Sequence, residues 1–314
     1  MVNSRKALVF AKIDPVLTDF LEEKGYELVF YNNAKDKDFL LQNGKQFEGI
    51  VLGTNPKMDR ALIDACPQLK WIARVGSGMD HIDVEYARNK NIFCCSSPEG
   101  NANAVAEQAL GVLLALFNNI YKSFEQLKNS VWDREGNRGF EIEGKTAGIV
   151  GLGNNGYRFA QKLSALGVNV LAFDLEKKEI QHPGIIQVAR IEELFHSDIL
   201  SFHVPYTDLT HHYFDKPFLD SMHKPFVLLN LCRGKVVNQE VLLHGLQQGK
   251  ISAAAIDVWE VEPIHNMPDG MRTTAMELLA MPNFIGTSHI GGYSFEAITK
   301  MSLSLKNKLA EIIL

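Results

Sequence analysis

The chain has 314 residues, 46% of them hydrophobic and 22% charged, with a net charge of -5 at pH 7. That length exceeds what one hydrophobic core usually supports, so two domains are expected. The composition is that of an ordinary globular protein, and its acidic balance gives no reason to expect nucleic acid or an anionic membrane as partner, although a local basic pocket could still hold a small anionic substrate.

The first apolar run, Ala7 to Ala11, is too short for a signal-peptide core or a membrane span. The 4 cysteines, Cys66, Cys94, Cys95 and Cys232, show no C-x-x-C spacing and read as small buried hydrophobes, with no metal site among them. A cytoplasmic protein is expected. From there the chain alternates short apolar strands (Lys6–Ala11, Glu27–Tyr31, Gly49–Gly53, Trp71–Val75, Ile92–Cys95) with helical patterns at Pro15–Lys24, Met58–Cys66 and Asp83–Lys90. This alternation predicts a parallel sheet covered by helices.

From Asn101 to about Val131, apolar residues recur at helical spacing, among them Val105, Ala109, Leu113, Leu116 and Ile120. One long helix is expected there, crossing between domains or lying in an interface. A second α/β series follows, with strands Thr146–Val150, Asn169–Phe173, Ile199–His203, Phe226–Leu231, Ala253–Val258 and Asn283–Thr287, then a closing helix at Ser294–Ile313.

The turn Gly151-Leu152-Gly153-Asn154-Asn155-Gly156 sits between the strand ending at Val150 and a helix expected over Tyr157–Leu166. In a G-x-G-x-x-G turn the first glycine allows the sharp bend. The second admits a pyrophosphate to the backbone, and the third lets helix and strand pack closely. Free N–H groups at the helix start complete an anion site. Asp174 closes the next strand 18 residues after Gly156, close to the roughly 20 expected of the acid that binds the adenosine ribose. Its charge should repel a 2′-phosphate, which favours NAD over NADP. Lys177 and Lys178 are the only hint the other way, and a solvated loop accounts for them better.

Ligands of such sheets collect beyond the C-terminal strand ends. Three late strands lead there into Arg233, Asp257 with Glu262, and His289. A planar guanidinium suits the carboxylate and carbonyl oxygen of a 2-keto acid. An imidazole of ordinary pKa ~6.5 suits proton delivery to the developing alkoxide, and a neighbouring carboxylate would stabilise its protonated form. A histidine by itself is more often structural, and the chain has 10.

At this point the sequence resembles the D-isomer-specific 2-hydroxyacid dehydrogenases over nearly its whole length. The segments that carry the resemblance are Arg74 to Asp83, Asn101 to Glu107, the glycine turn, His203-Val204-Pro205 with Thr207 and Thr210, Asn230 to Gly234, Asp257 to Pro263, and His289-Ile290-Gly291-Gly292. The resemblance implies that Arg233 polarises substrate, His289 is the acid/base and Glu262 tunes it. It implies a cofactor site of Gly151, Gly153, Asn154, Asn155, Gly156, Asp174, Val105, His203, Val204, Pro205, Thr210, Leu231, Cys232 and Asp257, the last holding the nicotinamide amide. Substrate contacts would come from Arg74, Val75, Gly76, Ser77, Gly78, Asn101 and Arg134.

The implied architecture is α/β: a Rossmann-type doubly wound sheet over 101–291, and a flavodoxin-like substrate domain split between 1–100 and the return helix in 292–314. A homodimer supported by the long helix is also implied. Family members often have Arg or His then Ile where this chain has Asn154 and Asn155, so a cationic phosphate contact and an apolar nicotinamide contact are both replaced by amides. Cys232 stands where Ala or Ser is more usual.

Arg74 and Arg134 lie where the 3-phosphoglycerate dehydrogenase branch uses cations for phosphate. The best expectation is therefore hydride transfer between NAD(H) and 3-phosphoglycerate or 3-phosphohydroxypyruvate, with glyoxylate or hydroxypyruvate reduction as the alternative. With the sequence ending at Leu314, no C-terminal regulatory domain is expected. A different class, an NAD-binding sensor or corepressor-like protein without turnover, is disfavoured by the intact set of Arg233, Glu262 and His289.

Overall fold

The computed structural model describes residues 5–34, 36–176, 180 and 182–313; Lys177 and Lys178 lie outside the described residues. The chain divides into two units, Met1–Ala102 with Gly292–Leu314, and Asn103–Gly291.

In the first unit β1 (Arg5–Val9), α1 (Pro15–Glu23), β2 (Tyr26–Phe30), α2 (Lys37–Asn43), β3 (Gly49–Leu52), α3 (Arg60–Asp64), β4 (Trp71–Arg74), α4 (Val84–Asn89) and β5 (Phe93–Ser96) alternate along the chain. The strands form one sheet in the order β2-β1-β3-β4-β5, every pair parallel. All four helices start at an aspartate, Asp14, Asp36, Asp59 and Asp83, whose carboxylate accepts an otherwise unpaired N–H of the first turn. Strand residues alternate between the two faces, as the pleat requires. Leu8, Ile50, Leu52 and Ile72 enter one core, and Ala7, Val9, Val51, Trp71 and Ala73 enter the other.

The chain passes into the second unit within α5 (Pro98–Phe117), followed by α6 (Ile120–Lys128). Then come β6 (Thr146–Val150), α7 (Asn154–Ala165), β7 (Asn169–Phe173), β8 (Ile185–Val188), β9 (Ile199–Phe202), α8 (Lys216–Ser221), β10 (Phe226–Asn230), α9 (Gln239–Gln247), β11 (Ile251–Ile256), α10 (Asp269–Ala280) and β12 (Phe284–Gly286). These strands form a parallel sheet in the order β12-β11-β10-β9-β6-β7-β8. The winding reverses at β6, which pairs with both β7 and β9, the switch point where doubly wound sheets bind ligands. The last helix, α11 (Phe295–Ala310), belongs to the first unit, and its Leu305 and Leu309 sit in the core of Val9, Val51 and Ala73.

One expected element is corrected. The single helix from Asn101 to about Val131 is two helices, bent by 62° at a break after Phe117. Asn119 takes a left-handed conformation with φ 51°, a region that asparagine tolerates better than most residues. The Asn118 side-chain amide donates to the Leu114 carbonyl and so shares an acceptor of the helical ladder, while the Asn119 amide donates outside the helices, to the Arg138 carbonyl. The apolar spacing runs on through α6 although α6 buries no residue, which is why the pattern reads as continuous. Among the described residues, no single helix is long and apolar enough to cross a membrane.

Candidate active site

Three strand ends of the second unit carry the chemical groups. After β12 the chain reaches His289, whose Nδ1 lies 2.7 Å from Oε2 of Glu262. The other Glu262 oxygen accepts the main-chain N–H of Trp259 at 2.9 Å. His289 has φ 56°, a conformation unusual for a non-glycine residue and maintained only where surroundings impose it. Asp257 does so. Its carbonyl accepts the His289 N–H at 2.8 Å, and its carboxylate accepts the N–H groups of Ile290 at 2.9 Å and Gly291 at 2.7 Å. Gln108 Nε2 and the Thr287 hydroxyl also donate to that carboxylate. Three of these donors share Oδ1 and only the Gly291 N–H reaches Oδ2, so the carboxylate holds the histidine turn while Oδ2 can still accept a further donor.

Arg233 follows β10. The chain bends there because Asn230 donates from Nδ2 to the Arg233 carbonyl at 3.0 Å and accepts the Cys232 N–H at 3.2 Å. The guanidinium donates to the Cys232 carbonyl at 2.7 Å. Burial pushes the Cys232 thiol up to about 11, so it is a protonated packing residue at neutral pH.

The His289–Glu262 pair is polarised in the direction that proton delivery would need. The hydrogen bond that His289 donates to Glu262 raises its pKa above the imidazole norm; burial opposes this, the charges of Glu262 and Asp257 add to it, and Arg233 subtracts. Burial pushes Glu262 upward, but its hydrogen bond and attraction to His289 outweigh that and leave it below the usual glutamate range. The pair therefore favours imidazolium beside carboxylate. Among the described residues no hydrogen bond reaches Nε2 of His289, which is left for an incoming group.

The glycine turn fits a dinucleotide. Gly151 has φ +94°, and a Cβ there would lie 2.8 Å from the His203 backbone, while one at Gly156 would lie 2.0 Å from the Gly151 carbonyl oxygen. A Cβ at Gly153 would meet nothing within 4 Å, so the space outside that residue is open to a ligand. Gly153 caps α7 without a side-chain hydrogen bond, leaving the first N–H groups available to a pyrophosphate. Asp174, at the end of β7, accepts the Leu152 N–H at 2.7 Å and so stands beside the turn. Asn154 is exposed, and Asn155 Oδ1 is buried without a partner.

Other expected residues are distributed unevenly. The His203 ring is buried, bonded to Ser201 at 2.8 Å, and kept neutral by burial with a pKa of about 4, so only its main chain could face a cofactor. Val105, Leu231 and Cys232 are also buried. Thr210 closes the Pro205–Thr210 turn, accepting the Thr207 N–H and donating to the Pro205 carbonyl, with Val204 half-buried before it. In the first unit Val75, Gly76, Ser77 and Gly78 follow β4. There Gly76 N–H donates to Ser97 at 2.9 Å and Ser77 to Asn101 at 2.7 Å. The Arg74 guanidinium lies over Gly76 and donates to the Val75 carbonyl at 3.1 Å. Arg134 is exposed in the turn after α6. Sequence reasoning missed Gln108, Thr287 and Trp259, which carry no motif of their own and gain their roles from neighbours remote in the chain.

Comparison with known proteins agrees with this geometry. The profile described as "D-isomer specific 2-hydroxyacid dehydrogenase, NAD binding domain" matches residues 110–291. A hydroxypyruvate reductase of Thermotoga maritima is 33% identical over 95% of this chain and 94% of its own length. A D-3-phosphoglycerate dehydrogenase of Methanocaldococcus jannaschii is 34% identical over 90% of this chain, which spans only 53% of that relative. Among solved structures, the D-lactate dehydrogenase of Aquifex aeolicus complexed with NAD and lactic acid has a TM-score of 0.85 at 25% identity, covering 98% of this chain and 95% of that one. The chain belongs to the D-isomer-specific 2-hydroxyacid dehydrogenase family, and is an oxidoreductase that uses an NAD(H)-type cofactor on a small 2-hydroxy or 2-keto acid.

Proposed function

We propose that the reaction runs through Arg233, Glu262 and His289, with His289 as the proton donor in 2-keto acid reduction. The observation that carries this is the 2.7 Å His289–Glu262 pair, which leaves Nε2 of the histidine unbonded. NADH, when bound, supplies the hydride for the carbonyl carbon. His289 delivers a proton from Nε2 to the carbonyl oxygen, and Glu262 stabilises the imidazolium that precedes transfer. Arg233 offers its planar fork to the substrate carboxylate and carbonyl oxygen. In the reverse direction the neutral histidine takes the hydroxyl proton.

We assign the adenosine ribose to Asp174, whose charge disfavours the 2′-phosphate of NADP. Val75–Gly78 and Asn101 are proposed to bind the substrate carboxylate. The strand order of the first unit, β2-β1-β3-β4-β5, supports a flavodoxin-like substrate domain. A homodimer through α6 is supported by its exposed Ile120, Tyr121, Phe124 and Leu127, an apolar surface that a second copy would cover. A cytoplasmic location is supported by four free thiols.

For the substrate we propose 3-phosphohydroxypyruvate, with Arg74 and Arg134 as cations for its phosphate. One observation favours unphosphorylated hydroxypyruvate or glyoxylate instead: the Arg74 guanidinium is already engaged with its own loop at Val75 and Gly76. Oxidation of NADH and NADPH with these three acids, in the wild type and in Arg74→Ala, separates the two. The phosphate reading expects the variant to lose 3-phosphohydroxypyruvate selectively. Equal loss on all acids makes Arg74 a support of the loop, and tight NADH binding without turnover on any acid overturns the catalytic assignment.

A further inference from the structure

Trp259 is 5% exposed and touches each of the three segments that carry Arg233, Glu262 and His289. Its main-chain N–H donates to Glu262 Oε1 at 2.9 Å. Its indole N–H donates to the Thr287 carbonyl at 3.0 Å, two residues before His289. Its own carbonyl oxygen lies 2.0 Å from where a Cβ at Gly234 would stand, so the backbone next to Arg233 rests against it with no room for a side chain. Its ring packs edge-on against Phe284 of β12 with centroids 6.2 Å apart, and lies over Gly286, where a Cβ would come within 2.7 Å of Cζ2.

The segment before His289 is thus pinned by Trp259 at Thr287, and the histidine itself by Asp257 at its N–H. Neither partner of the acid–base pair is held by the other alone. The pair is a contact between two separately anchored chain segments, and Trp259 supplies an anchor to both.

Resting on the catalytic assignment above, we propose that Trp259 is a positioning residue, its main-chain N–H orienting Glu262 and its indole N–H fixing the segment that presents His289. The charged groups acting on His289 are Glu262, Asp257 and Arg233, and the segment that the indole bond fixes sets the distance of the imidazole from each of them.

Trp259→Phe removes the indole donor and keeps an aromatic ring against Phe284. The test is the titration of His289 by NMR in the cofactor-free protein, with its signal assigned by its loss in His289→Gln, together with the pH profile of reduction. The expected result is a His289 midpoint displaced toward that of an ordinary imidazole, a high-pH limb displaced the same way, and kcat lower by roughly ten- to hundredfold with little change in KM. Should the phenylalanine variant fold poorly, 3-benzothienylalanine at position 259 keeps the volume without the N–H and is expected to give the same displacement. A folded variant with a lower Tm and an unmoved His289 titration overturns the proposal, leaving Trp259 as a packing residue. The titration needs no substrate, so its outcome is independent of which acid, if any, is reduced.

Discussion

Two histidine–glutamate pairs stand in the second unit on carboxylates two residues apart, and they differ in what they leave open. His212 Nε2 lies 2.8 Å from Glu260, and His289 Nδ1 lies 2.7 Å from Glu262. Both histidines sit in the left-handed region, at φ 47° and 56°. The difference is in what each pair leaves over. Glu260 is 8% exposed at its side chain and also accepts the Gln239 N–H, while Asn238 stands 3.5 Å from the second His212 nitrogen. That pair is closed, a half-buried strut joining the segment before Phe214 to the loop after β11. In the other pair the Glu262 carboxylate is held on the side away from the histidine, and the second nitrogen of His289 has no bond among the described residues. A short contact alone therefore does not single out a candidate acid–base pair; an open proton-bearing atom is needed as well.

The comparison can be broken most directly by mutation. His289→Ala should lower kcat by roughly 10²–10⁴, the usual scale of general acid–base help, with little loss of stability, while His212→Ala leaves turnover near wild type. Steady-state rates on the best keto acid decide this, and similar losses in both variants would mean that the two pairs are not functionally distinct.

A smaller effect sharpens the role of Glu262. Because Glu262 raises the His289 pKa, the proton-donating form persists above the ordinary imidazole midpoint of ~6.5 and is lost as pH rises through the raised value. In Glu262→Gln the high-pH limb of the reduction rate should move down toward that midpoint. The same sign holds for folding: stability from the raised His289 pKa is present below the unfolded imidazole value and fades as pH rises through the folded one, while at acid pH it is lost as Glu262, whose pKa is lowered, takes up a proton. An unmoved limb would assign the titration to another group.

The smallest expected effect concerns the closed pair. His212→Ala should cost about 1–3 kcal/mol by leaving Glu260 without a partner, read from urea unfolding. Unchanged stability would show that water satisfies Glu260 as well as the imidazole does.

Much of the site was legible because its signals are local. The glycine turn needs only six adjacent residues, and Asp174 falls at a fixed distance set by one helix and one strand. Arg233 and His289 each follow closely on the stop of an apolar run, which marks a strand end, and Glu262 lies in the loop after another. The break at Asn118-Asn119 was not legible, since the apolar spacing continues across it and only the left-handed backbone ends the helix. Nor was the burial of His203, whose ring lies against Phe159 and bonds Ser201.

What the sequence determined alone was the alternation of strands and helices, the glycine turn and the identities of the candidate groups, because periodicity and turn chemistry act over a few residues. Only the tertiary structure decided which groups meet. Gln108 donates to Asp257 across 149 positions and to Thr287 across 179, and no spacing rule reaches that far. The order β12-β11-β10 lays three distant strand ends side by side, and that adjacency turns a histidine, a glutamate and an arginine into one site.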